Sequence, residues 1–196
     1  MKKSFLYPIV FMSLLTAIFT FILAFMEFGT AERVQQNLEL ELQRKILYVF
    51  NIPVVDNSAE VVNAVFEDKI TQDGDVFIYK EDGQTVGYAF PAKGPGLWGG
   101  IETYVGISED YSTILGLAII TQNETPGLGG RIGEEEFLSQ FRNLDVSSAV
   151  EGGYITYRPA AGGNVDAVAG ATLTSKSVST FLNEDIHNFL AERKGE

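Results

Sequence analysis

A chain of 196 residues with 45% hydrophobic side chains can build one ordinary domain and a short appendage, but not two large domains. Its formal net charge of -12 argues against nucleic acid as a partner, because a phosphate backbone is bound by Lys and Arg that displace its counterions. With no cysteine and a single histidine, the chain excludes disulfides, thiolate metal sites and iron–sulfur clusters, so redox work needs a cofactor held by other means.

Phe5 to Met26 carries no charged residue. As a helix this run of about 22 residues spans roughly 33 Å, enough for a hydrocarbon core of about 30 Å. Pro8 falls in the first turn, where proline is tolerated. A cleaved leader has a shorter apolar core, and Ala24-Phe25-Met26 is a poor cleavage site, so a retained anchor is expected. Lys2 and Lys3 precede the segment, whereas Glu27, Glu32 and Arg33 follow it. The positive-inside rule then leaves the N-terminus in the cytoplasm and the rest outside, by a thin margin, since Arg44 and Lys45 lie on the far flank. The divisions expected are a transmembrane anchor at 1–28, a helical connector at 29–56 and one domain at 57–196.

In the connector, Val34, Leu38, Leu42, Ile46 and Val49 recur at near-helical spacing, and Pro53 ends the helix. Asn57 with Glu60 has the form of a capping box for a second helix, burying Val61, Val62, Val65 and Phe66. The period then shortens. Asp75–Lys80 and Thr85–Phe90 read as a hairpin around Glu81-Asp82-Gly83, and Ile101, Thr103, Val105 and Ile107 as a half-buried strand. Ile114–Ile120 is almost wholly apolar, as in a central strand covered on both faces. A short helix over Glu134–Leu144, a strand over Tyr154–Arg158 and a loop over Ala160–Val165 follow. A last helix is expected from about Thr174 to Glu192, with Val178, Phe181, Leu182, Ile186, Phe189 and Leu190 on one stripe and His187 on its surface. The fold class expected is α+β, an antiparallel or mixed sheet with flanking helices.

Three glycine-rich segments stand out. Gly94, Gly96 and Gly99 match G-x-G-x-x-G literally but lead into a strand, so they do not form a dinucleotide fingerprint, which must open a helix. Taken alone, Trp98 reads as a core residue. Asn123–Ile132, containing Pro126-Gly127, suits a tight turn after the most apolar strand. Asp166–Ser175 runs through small residues into the last helix, with Thr174 or Ser175 as its cap. The same helix start can hold an anion, because unpaired N–H groups and the positive end of the helix dipole face it.

Asp166-Ala167-Val168-Ala169-Gly170-Ala171-Thr172 resembles the flavinylation motif D-x-x-(S/T)-G-A-T of the FMN-binding domain family. That family includes the C subunit of the sodium-translocating NADH:quinone reductase and the G subunit of the Rnf oxidoreductase. Glu124-Thr125-Pro126-Gly127-Leu128-Gly129 resembles the family's E-T-P-G-L-G loop, and Gly96-Leu97-Trp98-Gly99 a G-L-W segment of the quinone-reductase member. The resemblance implies FMN bound covalently to Thr172 through a phosphoester. It implies Asp166 as part of what a flavin transferase recognises, and Leu97, Trp98 and Leu128 as apolar contacts to the flavin ring. Glu124, Thr125, Gly127 and Gly129 would form the loop beside the flavin, Gly170 and Ala171 would leave room for the phosphate, and Thr174 and Ser175 would donate hydrogen bonds to it. Ala169 stands where the family has Ser or Thr, removing one hydroxyl near the phosphate. The implied function is electron transfer in a larger complex of the bacterial inner membrane, with the domain on the extracytoplasmic side and other redox subunits as partners. No catalytic acid, nucleophile or metal is implied. Two readings stay open beside it: the choice between the two complexes or another extracytoplasmic flavin-based electron pathway, and a membrane-anchored binding or assembly module with no cofactor.

Overall fold

The computed structural model describes residues 6–149 and 153–194. The chain divides into two compact units, one ending at Glu41 and the other starting at Leu42. Helix α1 (Leu6–Val49) forms the first and contributes its last turns to the second. Its apolar stretch is long enough to cross a membrane. Phe5, Lys2 and Lys3 lie outside the described residues.

In the second unit, Ile46, Leu47 and Val49 at the end of α1 are buried. Val49 packs where two strands have no side chain: a Cβ on Gly106 would strike the Val49 side chain, and one on Gly116 the Val49 carbonyl. Arg142 binds the helix end, donating to the Tyr48 carbonyl (2.8 Å) and the Leu115 carbonyl (3.1 Å) with its guanidinium over the Tyr48 ring. Lys45 Nζ donates to the Ile120 carbonyl at 3.0 Å. The Tyr48 carbonyl also accepts the Asn51 N–H (3.0 Å), so Arg142 adds a second bond to a turn that the backbone already closes.

Helix α2 (Ala59–Lys69) follows. The expected capping box does not form. Ser58 is the N-cap, without a side-chain cap bond, and its own N–H donates to Asp56 Oδ1 (3.3 Å). Of the four expected core residues of α2 only Val62 is fully buried. Six strands among the described residues form one antiparallel sheet in chain order: β1 (Ile70–Asp73), β2 (Val76–Glu81), β3 (Gln84–Pro95), β4 (Gly100–Ser108), β5 (Thr113–Thr121) and β6 (Leu144–Asp145). Strand β3 runs past the expected Phe90. Its pairing with β2 ends at Ala89, so Pro91, which lacks an N–H, faces a side with no strand partner. Beyond it the Lys93 N–H is taken by Asp185 Oδ2 (2.9 Å). Strand β5 is apolar for the expected reason, burial on both faces, but it is not central: β6 covers only Thr113 and Ile114.

The expected helix over Glu134–Leu144 is α3 (Glu135–Leu138) followed by a 3₁₀ turn, Ser139–Phe141. Tyr154–Arg158 is not a strand. It forms a single bridge, Tyr157 to Val165, with backbone bonds from Arg158, Asn164 and Val165, and amide side chains take the remaining groups. Asn183 pairs with both backbone groups of Ile155 (2.8 and 2.9 Å), and Asn164 joins Thr156 N–H to the Tyr154 carbonyl (3.0 and 2.7 Å). The last helix, α4 (Thr172–Lys194), lays the expected stripe on the sheet, with Phe189 stacked on Phe90 at 4.0 Å. Each of these large side chains contributes roughly 1.5–3 kcal/mol by burial. His187 is exposed.

Candidate functional site

The β3–β4 turn and the end of β5 lie at the same end of the sheet, because Pro95 pairs with Gly100 and Glu102 with Thr121. Helix α4 brings its first turns there, where the Ser177 hydroxyl donates to the Pro95 carbonyl. The three glycine-rich segments therefore meet, although they are separated by many residues in the chain. They line one pocket of about 410 Å³, made by Leu97, Trp98, Glu124, Thr125, Leu128, Gly129 and Gly170 to Thr174.

Glu124 ties the segments together. It is 5% exposed. Its Oε1 accepts the N–H groups of Leu97 (2.7 Å) and Trp98 (3.1 Å), and its Oε2 accepts the hydroxyl of Thr174 (2.5 Å). The glycines beside it are required by close approach. A Cβ at Gly96 would stand 2.5 Å from Glu124 Oε1, and one at Gly129 2.6 Å from Oε2 and 2.7 Å from Thr174 Oγ1.

Helix α4 begins earlier than its sequence suggests. Ser175 N–H already donates to the Ala171 carbonyl (3.0 Å), so neither Thr174 nor Ser175 is the cap. Gly170, at φ +78°, makes the bend into the helix. The N–H groups of Thr172, Leu173 and Thr174 precede any intrahelical acceptor, and the Thr172 side chain is exposed. Leu97, Trp98, Leu128 and Leu173 are also exposed. Among the described residues beyond α1, Val55 is the only other exposed large hydrophobic residue. Trp98, 70% exposed, is not a core residue. Leu173 has no mark in the sequence, because it sits between the motif's final Thr and the body of the helix, where nothing but exposure distinguishes it.

Gly127, Ser175 and Asp166 lie off the pocket wall. Gly127 makes the turn at φ +74°. Ser175 is buried and accepts the Val168 N–H (3.0 Å), which pins the motif loop from behind. Asp166 lines a second cleft of about 450 Å³ with Arg131, Arg158 and Ala169. There it pairs with Arg158 (2.5 Å), and Gln140 Oε1 takes its N–H (2.7 Å). Ala169 is thus on the Asp166 side of the loop. Arg131 binds Glu134 and Glu136, and Lys93 pairs with Glu102.

A pocket of this size with apolar walls, a helix start and an accessible hydroxyl fits a flat ring system carrying a phosphate. The family model of the FMN-binding domain matches residues 96–187. The G subunit of the ion-translocating oxidoreductase complex of Methanosarcina acetivorans is 35% identical over 132 residues, 65% of this chain and 66% of that protein. The C subunit of the Na(+)-translocating NADH-quinone reductase of Pasteurella multocida is 33% identical over 110 residues, 54% of this chain and 42% of that protein. The chain therefore spans just under two thirds of the first relative's length and less than half of the second's. The crystal structure of the C subunit of the same kind of reductase from Parabacteroides distasonis matches with a TM-score of 0.66 at 25% identity, over 80% of this chain and 92% of that one.

Proposed function

We propose, starting from an FMN-binding domain at residues 96–187, that the chain is a membrane-anchored electron carrier with FMN held covalently on Thr172 through a phosphoester. It works as a subunit of an ion-translocating oxidoreductase of the Rnf or quinone-reductase type. The observation that carries this reading is the meeting of three motif segments around the accessible Thr172 hydroxyl. The start of α4 supplies N–H groups and a favourable dipole for a phosphodiester charge. Leu97, Trp98, Leu128 and Leu173 offer an apolar rim that keeps water from one face of a bound ring. Glu124 holds two of those rim residues in register with α4. Bound flavin supplies the capacity to take up and release electrons. No side chain need act as acid, base or nucleophile in turnover.

Attachment requires a flavin transferase. Asp166, outside the pocket and exposed beside Arg158, is open to recognition by that enzyme. The apolar stretch of α1 anchors the carrier with the domain on the extracytoplasmic face, and a covalent bond prevents loss of cofactor there. Full-length chain co-expressed with a flavin transferase, denatured and run on a gel, is expected to fluoresce. Thr172→Ala is expected to remove the signal, and a variant as bright as wild type would refute the attachment site.

A further inference from the structure

We propose that Glu124 is a positioning residue whose buried negative charge holds down the reduction potential of the flavin. The inference rests on the FMN reading above and goes beyond it by assigning what sets the potential. Three observations carry it. First, the carboxylate lies in the pocket wall and is almost fully buried. Second, among the described residues its partners are two backbone N–H groups and one hydroxyl, and no cation pairs with it. The cations on the neighbouring strand and loop, Lys93 and Arg131, are paired with other carboxylates. Third, Gly96 and Gly129 close on its two oxygens, so the charge is fixed in place.

A charge away from water acts more strongly on its neighbours than one at the surface. Reduction adds negative charge to a flavin, and a fixed carboxylate in the wall of its pocket opposes that. The geometry alone does not require a carboxylate. A glutamine at this position can accept the same two N–H groups through its oxygen. Its amide can donate to Thr174 Oγ1, since a hydroxyl accepts as well as donates. Glu124→Gln therefore keeps the contacts and removes the charge. Thr174→Val keeps the charge and removes one contact.

The test uses full-length wild type, Glu124→Gln and Thr174→Val, each matured with a flavin transferase. Trp98 is the single tryptophan, so its emission in the cofactor-free proteins reports whether the Leu97-Trp98 turn is intact. Spectroelectrochemical titration gives the midpoint potential of the loaded proteins. The expected result is wild-type Trp98 emission and a more positive potential in Glu124→Gln, with no positive shift in Thr174→Val. An unchanged or more negative potential in Glu124→Gln would overturn the proposal. So would an equal positive shift in both variants, or a Glu124→Gln protein with altered Trp98 emission that no longer loads, since each assigns Glu124 a structural role only. A wild-type chain that carries no FMN defeats the flavin reading itself, which separates that failure from this one.

Discussion

Gly106 and Gly116, paired across β4 and β5, and Gly96 and Gly129, beside Glu124, are glycines for the same steric reason and for different purposes. The first pair admits the end of α1: a Cβ at either would strike Val49. The second pair admits a carboxylate: a Cβ at either would meet an oxygen of Glu124. What differs is the neighbour. An apolar side chain and a helix carbonyl against glycine make a joint in the fold. A buried carboxylate against glycine, with exposed Leu97, Trp98 and Leu128 around it, makes a candidate site. A glycine in a sequence says only that something comes close, and the identity of that something decides which it is.

The contrast can be broken most severely at the joint. Ile46, Leu47, Val49 and Phe50 are all buried, and losing them removes roughly 1.5–3 kcal/mol each against a total stability of about 5–15 kcal/mol. A chain beginning at Leu42 should fold and unfold cooperatively by circular dichroism, whereas one beginning at Pro53 should not fold. Next in size, Gly116→Ala should cost about 1–3 kcal/mol by overpacking, read as a lower denaturation midpoint with an unchanged slope. At the other pair, Gly129→Ala should lower stability by about 1–3 kcal/mol, because it displaces a buried, hydrogen-bonded carboxylate and the Thr174 hydroxyl without striking backbone. Its flavin loading should fall several-fold, measured as fluorescence per mole of protein. A Gly129→Ala protein that loads normally would remove the distinction between joint and site.

The smallest effect belongs to neither region and serves as a reference. Asp110 accepts hydrogen bonds from Ser108, from the Ser112 hydroxyl and from the Ser112 N–H, and these hold its carboxyl below the usual value, Ser108 first. A depressed folded-state value means that the stabilisation is present above the unfolded value near 3.8 and is lost as pH falls through the folded one. The difference in melting temperature between wild type and Asp110→Asn should therefore be small at pH 6 and shrink progressively as pH falls below the unfolded value near 3.8.

The stripe of α4 and the apolar run of β5 were legible in the sequence, because burial leaves its period or its composition in the residues themselves. The motif segments were legible too, since glycine runs are rare and informative. Less visible was anything held by a side chain far away in the chain. Tyr154–Arg158 has the composition of a strand, yet Asn183 and Asn164 take its backbone groups, and no local pattern announces that. Ser58 displaced Asn57 as the cap of α2, and the helix start at Thr172 moved ahead of Thr174, whose hydroxyl is engaged by Glu124 from a distant loop. Leu173 gave no signal, since an exposed leucine becomes meaningful only when its neighbours are known.

The strict chain order of the strands has a temporal side. From β1 to β5 each strand can join the one just made, so that part of the sheet can assemble by neighbouring hairpins with little loop-closure cost. Helix α4 is the last element and must return across the sheet to reach β3. The Thr172 hydroxyl, the exposed apolar residues and the Glu124 carboxylate come together only at that closing event. On the proposed attachment, loading would inspect the finished product: a chain in which α4 has not docked would present the motif sequence but no receptacle. Pulse labelling of flavin during refolding should show incorporation lagging behind strand protection.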